Sequence, residues 1–330
     1  MMRRRQLSLS LLGLTAIASA LWISGCSPSP ETEADTFKVG LLTPGPISDG
    51  GWNAGAYQAL QAIEKDLGAR VSNQQVATPA EFEQGFRAYA EQGFDLVFGH
   101  GFEFQDPALR VAKDFPDTRF VVSSGAVSAA NVASLQFDLD QATYLAGMLA
   151  ASLSKTGRAG CVGGIELPVI KKTFDGFIAG AKSVNPDFVV TTAYTGNFED
   201  VAAARAAANA MISQGADFLI HNADAAGLGV FQAAKEHGIL AFGTNGDQSR
   251  AAPETVLASA VISIPAAFLG EARAVKSGSF QGRVVQEGLD GGAIQLVYNP
   301  GLESRVPEPV KTRVATAEEQ IRLGKLEVNP

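Results

Sequence analysis

Glu81–Phe104, EFEQGFRAYAEQGFDLVFGHGFEF, has an echo further along the chain in Asp200–Ala225, DVAAARAAANAMISQGADFLIHNADA. Each stretch has apolar residues at helical spacing, a Gln-Gly stop, a strand entered through an aspartate, and a histidine at or near that strand's carboxyl end, His100 in one and His221 in the other. Two similar α/β lobes are the inference. In open parallel sheets ligands sit beyond the carboxyl ends of the strands. A cleft between two such lobes is therefore expected to put His100 and His221 near its opposing walls. Any α/β unit shares some of these features, so the inference needs the rest of the chain.

Outward from these two stretches, short apolar runs keep alternating with longer helical ones. FKVGLL, ARVSNQQV, FDLVFG, RFVVSS, RAGCVGG, DFVVTTAY, DFLIHN and ILAFG read as strands, and PAEFEQGFRAYAEQG, VIKKTFDGFIAGAKSV, EDVAAARAAANAMISQG and AAGLGVFQAAKEHG as helices. That alternation predicts α/β architecture, with parallel sheets covered by helices on both faces. With 330 residues, 46% hydrophobic and 18% charged, the chain can bury the cores of two domains. A net charge of −8 argues against nucleic acid as a partner, since phosphate binding needs a basic face. The first 26 residues, MMRRRQLSLSLLGLTAIASALWISGC, have three arginines, a short apolar run and small residues before a cysteine, which is the layout of an export signal. Ile23-Ser24-Gly25-Cys26 resembles a bacterial lipobox, whose cysteine becomes the lipidated first residue of the mature protein. SPSPETEADT then reads as a polar tether. The other cysteine is Cys161, so a lipidated Cys26 leaves no intramolecular disulfide, and the core must hold the fold.

No enzyme constellation stands out. His100, His221 and His237 lack metal-ligand spacing, His237 suits a helix C-terminus, and Gly160, Gly163 and Gly164 do not make a dinucleotide fingerprint. An Asp and His pair contributed by separate lobes stays open as an enzymatic alternative. Binding chemistry is better supported. In Leu41–Ile63, LLTPGPISDGGWNAGAYQALQAI, a strand passes through a turn into a helix carrying Trp52, Ala56, Ala59, Leu60, Ile63 and Leu67 at helical spacing, up to Gly68. Asp49 stands where a helix cap belongs, so its carboxylate either satisfies free helix amides or meets a ligand. Trp52 is either core or a stacking surface. Beside Asn53, the three together offer an indole face, a carboxylate and an amide to a planar heterocycle.

Asp49-Gly50-Gly51-Trp52-Asn53 resembles the Asp-x-Ser-Phe-Asn motif of the basic membrane lipoprotein family, also called the purine nucleoside receptor family of ABC-transporter binding proteins. The resemblance continues in YLAGMLAA from Tyr144, GRAGCVGGIELPVIKKTFDGFIAGAKSVNPD from Gly157, YTGNFEDVAAA from Tyr194, GADFLIHNADAAGLGVFQAAKE from Gly215, and FGTNGDQS before APETVLAS. It covers most of residues 37–260 in order. What it implies is the type I periplasmic-binding architecture: two doubly wound parallel-sheet lobes joined by three crossing strands, near Phe137, Ser259 and Gly288, and closing by hinge motion. On that reading residues 37–137 and 260–288 form the N-terminal lobe and 138–259 and 289–330 the C-terminal lobe, after a leader over 1–25 and a tether over 26–36. The ligand-binding residues implied are Asp49, Trp52, Asn53, His100, Gly101, Phe198, Asn222, Asn245 and Asp247. Phe198 is the stacking partner of Trp52 from the second lobe, with Phe174 as the reserve.

The departures from the family pattern bear on the ligand. Many nucleoside-binding members read Val-Asp-x-Asp-Gln where this chain has Thr244-Asn245-Gly246-Asp247-Gln248, and their lysine aligns with Ile262. Pro44-Gly45-Pro46 also replaces an acidic residue of the first turn. GPISDGGW is similar to a branch associated with free purine bases. The expectation is a lipid-anchored, extracytoplasmic binding protein of an ABC importer, monomeric and without a cofactor, that hands a purine base or nucleoside to its permease. A flavin or sugar binder and a nucleoside-cleaving enzyme are the alternatives; the lipobox disfavours a repressor, because it occupies the place of a DNA-binding headpiece.

Overall fold

The computed structural model describes residues 36–328. The leader, Cys26 and most of the tether lie outside the described residues. Five strands, β1 (Lys38–Thr43), β2 (Arg70–Gln75), β3 (Leu96–His100), β4 (Arg119–Ser123) and β5 (Val132–Phe137), alternate with helices α1 (Trp52–Leu67), α2 (Pro79–Glu91) and α3 (Gln105–Ala112). The pattern then repeats: α4 (Leu139–Leu153), β6 (Arg158–Gly163), α5 (Pro168–Val184), β7 (Val189–Tyr194), α6 (Val201–Ser213), β8 (Phe218–Asn222), α7 (Gly227–Glu236), β9 (Leu240–Asn245) and β10 (Val256–Ile262). The chain ends through α8 (Ile264–Lys276), β11 (Val284–Glu287), β12 (Ile294–Tyr298) and α9 (Glu308–Arg322).

These strands make two six-stranded sheets of matching order, β11-β5-β4-β3-β1-β2 and β12-β10-β9-β8-β6-β7. In each, the strand order reverses direction beside the first strand of the lobe, β1 or β6, and a crevice opens at the carboxyl ends there. The inner strands are buried along nearly their whole length, as strands covered on both faces must be: β3 is buried at every position, His100 included. The edge strands β2 and β7 occupy equivalent places and are largely exposed, with RVSNQQ presenting polar groups to water.

The chain passes between the lobes three times. It leaves the first sheet after Phe137, and α4 packs on α5 of the second lobe; it returns after β10, where α8 packs on α1; it crosses again between β11 and β12. The second crossing follows Ile262 rather than Ser259, because β10 keeps its pairing with β9 to Val261 and with β12 to Ile262. One pairing departs from the all-parallel expectation. β12 runs antiparallel to β10. It enters from the other lobe without a helical crossover, the usual way an antiparallel edge joins a parallel sheet.

Candidate functional site

The turn between β1 and α1 builds one wall of the cleft. Formally the helix is capped by Gly51, which has no side chain to offer, and the work passes to Asp49 two residues earlier. Its Oδ1 accepts from the backbone N–H of Gly51 (3.0 Å) and Ala54 (2.9 Å), and its Oδ2 from the Asn53 N–H (2.7 Å) and the Asn53 Nδ2 (2.9 Å). A carboxylate has about four lone-pair directions. All are taken, so Asp49 holds the start of α1 and has none free for a ligand donor. The first residue it fixes in place is Trp52.

His100 stands behind that indole. The rings stack with centroids 3.9 Å apart and planes at 21°, while Phe137 meets the indole edge-on at 6.2 Å. The Trp52 carbonyl can only accept, so the His100 Nε2 at 2.9 Å carries the proton, and Nδ1 accepts from the Ser123 hydroxyl at 2.8 Å. Burial pushes the pKa of this imidazole down to about 3, against the hydrogen bond to Trp52. His221 is placed alike in the second lobe. It donates from Nε2 to the Gln248 Oε1 at 2.9 Å, lies edge-on to Phe231, and is pushed down to about 4 by burial. Neither histidine lines the cleft, contrary to the expectation for the strand ends. A fully buried imidazole here is a neutral prop behind the wall.

Two adjoining cavities open between the lobes. The inner one, about 590 Å³ counting the space open to solvent, is lined by Trp52, Gly101, Phe102 and Phe137 of the first lobe, by Leu139 and Ile262 at two of the crossings, and by Leu167, Ile170, Thr173, Phe198, Asn222 and Asn245 of the second lobe. Its lining is apolar with a few polar groups, as in small-molecule sites. Phe198 is held against the backbone of Gly164, where a methyl group would lie 2.2 Å from the ring; this glycine seats the aromatic. Phe174, the reserve aromatic, is core and packs near Tyr194. Asn222 accepts from the Asn245 Nδ2 (3.2 Å) and donates to the Thr173 hydroxyl (3.2 Å), which fixes the direction of both amides. Asn245 holds a left-handed conformation, φ +68°, which asparagine tolerates. Asp247 faces elsewhere: it is exposed, accepts from the Ser249 N–H and hydroxyl, and borders a separate hollow beside Gln58 and Gln295.

The outer cavity, about 960 Å³ counting the space open to solvent, shares Pro44, Glu103, Leu167, Phe198 and Asp224 with the inner one and adds Asp49, Asn53, Asn197 and Glu199. Glu103 and Asp224 were not foreseen. Glu103 folds back over Gly101, whose φ of +151° and lack of a side chain make the room: a methyl group there would lie 2.6 Å from a Glu103 carboxylate oxygen. Asp224 begins a short 3-10 turn after β8 with φ +45°, and the Asn245 Nδ2 reaches it at 3.5 Å. Burial holds the Asp224 carboxyl well above the usual range, and the charges of Asp49 and Glu103 raise it further. Burial likewise raises Glu103. The signal available in the sequence was position: each acid follows the carboxyl end of an inner strand, in HGFE and HNAD.

Among the described residues no cluster of side chains could hold a metal ion. The family model described as ABC transporter substrate-binding protein, PnrA-like (Bmp), matches residues 36–329. The chain belongs to this family. A purine-binding protein of Brucella abortus (strain 2308) is 31% identical over 295 residues, 88% of this chain and 83% of its own. The transcriptional activator protein Med of Bacillus subtilis (strain 168) is 30% identical, covering 90% of this chain and 95% of its own. The ABC transporter nucleoside-binding protein BmpA of Lactococcus lactis subsp. cremoris (strain MG1363) is 28% identical over 99% of both. A solute-binding protein of Aeropyrum pernix K1 superposes with a TM-score of 0.82 at 22% identity over 88% of this chain and 92% of its own, which fixes the fold as that of periplasmic binding proteins. Family members are substrate-binding components of ABC transporters and work outside the cytoplasmic membrane; no described helix is long and apolar enough to cross one.

Proposed function

We propose that this binding protein captures a purine base in the inner cavity and delivers it to an ABC permease, tethered to the membrane through lipid on Cys26. The observation that carries the reading is the pairing of Trp52 and Phe198 from opposite lobes on one apolar cavity, with the fixed amides of Asn222 and Asn245 at its edge. Two flat faces and a hydrogen-bonding rim suit a planar heterocycle. The purine-binding relative in Brucella abortus supports the same ligand class. Ile262 and Asn245 both line this cavity where nucleoside-binding members carry a lysine and an acid, so the charge pair that could grip ribose hydroxyls is missing. Binding needs no cofactor and no chemistry, and a monomer that presents both lobes to its permease is sufficient.

Nucleoside remains the second reading, favoured by the Lactococcus lactis relative. Calorimetry on the purified protein separates the two. Adenine, guanine or hypoxanthine is expected to bind at least as tightly as its nucleoside. A nucleoside preferred by more than about 1.4 kcal/mol, tenfold in affinity, reverses the assignment. Binding of riboflavin or galactose with no binding of any purine overturns it altogether, and release of free base from inosine would identify an enzyme.

A further inference from the structure

The outer cavity asks for a different chemistry from the inner one. Its polar side chains include four carboxylates, Asp49, Glu103, Glu199 and Asp224, and neither cavity is lined by any lysine, arginine or histidine. No cationic side chain on the walls offsets the acids, although four N–H groups already occupy Asp49, and the charges of Asp49 and Glu103 bear on Asp224. A second observation is independent of charge. Asn53 is 2% exposed and lines the same cavity; its Nδ2 is bound to Asp49, and its Oδ1 has no hydrogen-bond partner. A buried acceptor left unpaired costs about 1–3 kcal/mol, so one in a ligand cavity marks a place for a donor.

We infer that the outer cavity is a subsite for a protonated amino group carried on the ligand's heterocycle, gripped between Glu103 of the first lobe and Asp224 of the second, with the Asn53 Oδ1 as a further acceptor. The inference rests on the heterocycle reading of the inner cavity. Because Glu103 and Asp224 come from different lobes, a cation between them draws the lobes together, whereas a phosphate in the same place meets only acceptors. The class of ligand is thus an amine-bearing heterocycle, and the corresponding nucleotide is refused.

The test uses adenine, N6- and N9-(3-aminopropyl)adenine, their uncharged propyl counterparts, and AMP, titrated calorimetrically at pH 7. At least one aminopropyl compound is expected to bind tenfold or more tighter than its propyl counterpart, and AMP is expected not to bind. The ratio of amine to propyl affinity should fall to near unity in Glu103→Gln/Asp224→Asn, whose folding is checked by its melting transition. Adenine binding with amine and propyl compounds equal, or an amine preference that survives in the double variant, overturns the subsite and leaves the purine reading standing. If the double variant does not fold, Glu103→Gln and Asp224→Asn decide singly: an amine preference undiminished in both also overturns the subsite. No binding of adenine overturns the purine reading and the subsite with it.

Discussion

A neutral imidazole behind an indole makes the cleft wall sensitive to acid. The folded pKa of His100 is about 3, below the ordinary value of 6.5, so on acidification the unfolded chain takes up the proton first and stability falls as the pH drops from about 6.5 toward 3. The raised carboxyls of Glu103 and Asp224 act with the opposite sign: the folded state holds their protons more firmly, so acidification through that window stabilises it. Wild type against His100→Gln isolates the first effect. Between pH 7 and pH 5 the wild type should lose about 2 kcal/mol more unfolding free energy in denaturant titrations than the variant. Equal losses would mean that the imidazole is not held neutral. The sequence marked His100 as special by its strand-end position. It did not reveal that the ring lies behind Trp52, because that depends on how β3 and α1 pack across the sheet.

At the scale of elements, the start of α1 is the part of the site that one side chain organises. Asp49 gathers three backbone N–H groups and the Asn53 amide. Asp49→Ala should therefore destabilise the protein by about 2 kcal/mol, the upper end for a helix cap, and Asp49→Asn by less, as read from denaturant midpoints. An alanine variant as stable as wild type would show that water replaces the carboxylate. The eight strands read from the sequence are all present, the inner ones because their residues are mostly apolar and the edge strands β2 and β7 because each sits between two helical runs; β5 and β10, though buried, are not among the eight. β11 and β12 are not legible that way. They are short and largely half-buried, VVQE and IQLVY, and their place is set by the crossings between lobes. The same limit hid Glu103 and Asp224. Each looks like an ordinary loop acid until the two lobes face each other, and no local period records that juxtaposition.

For the whole molecule, the three crossings leave two sheets with a cavity between them, and the lining of that cavity is divided between the lobes. A ligand touching both lobes favours the arrangement in which both contacts are made, which is what drives closure. Small-angle scattering should therefore show a smaller radius of gyration with saturating purine than without it. Binding demonstrated by calorimetry with an unchanged radius would favour a preformed pocket. The closure belongs to the hinge strands, so it should persist in variants that only weaken affinity, once the ligand concentration is raised to saturation.

The indole stacked on His100 also makes the protein its own instrument. Of the chain's two tryptophans, Trp22 and Trp52, only Trp52 is among the described residues. In a protein trimmed to residues 36–328, all tryptophan emission comes from the wall of the cleft. A change in its colour or intensity reports on occupancy with no background from elsewhere in the fold. Each arriving molecule can be timed by stopped-flow optics without attaching a dye.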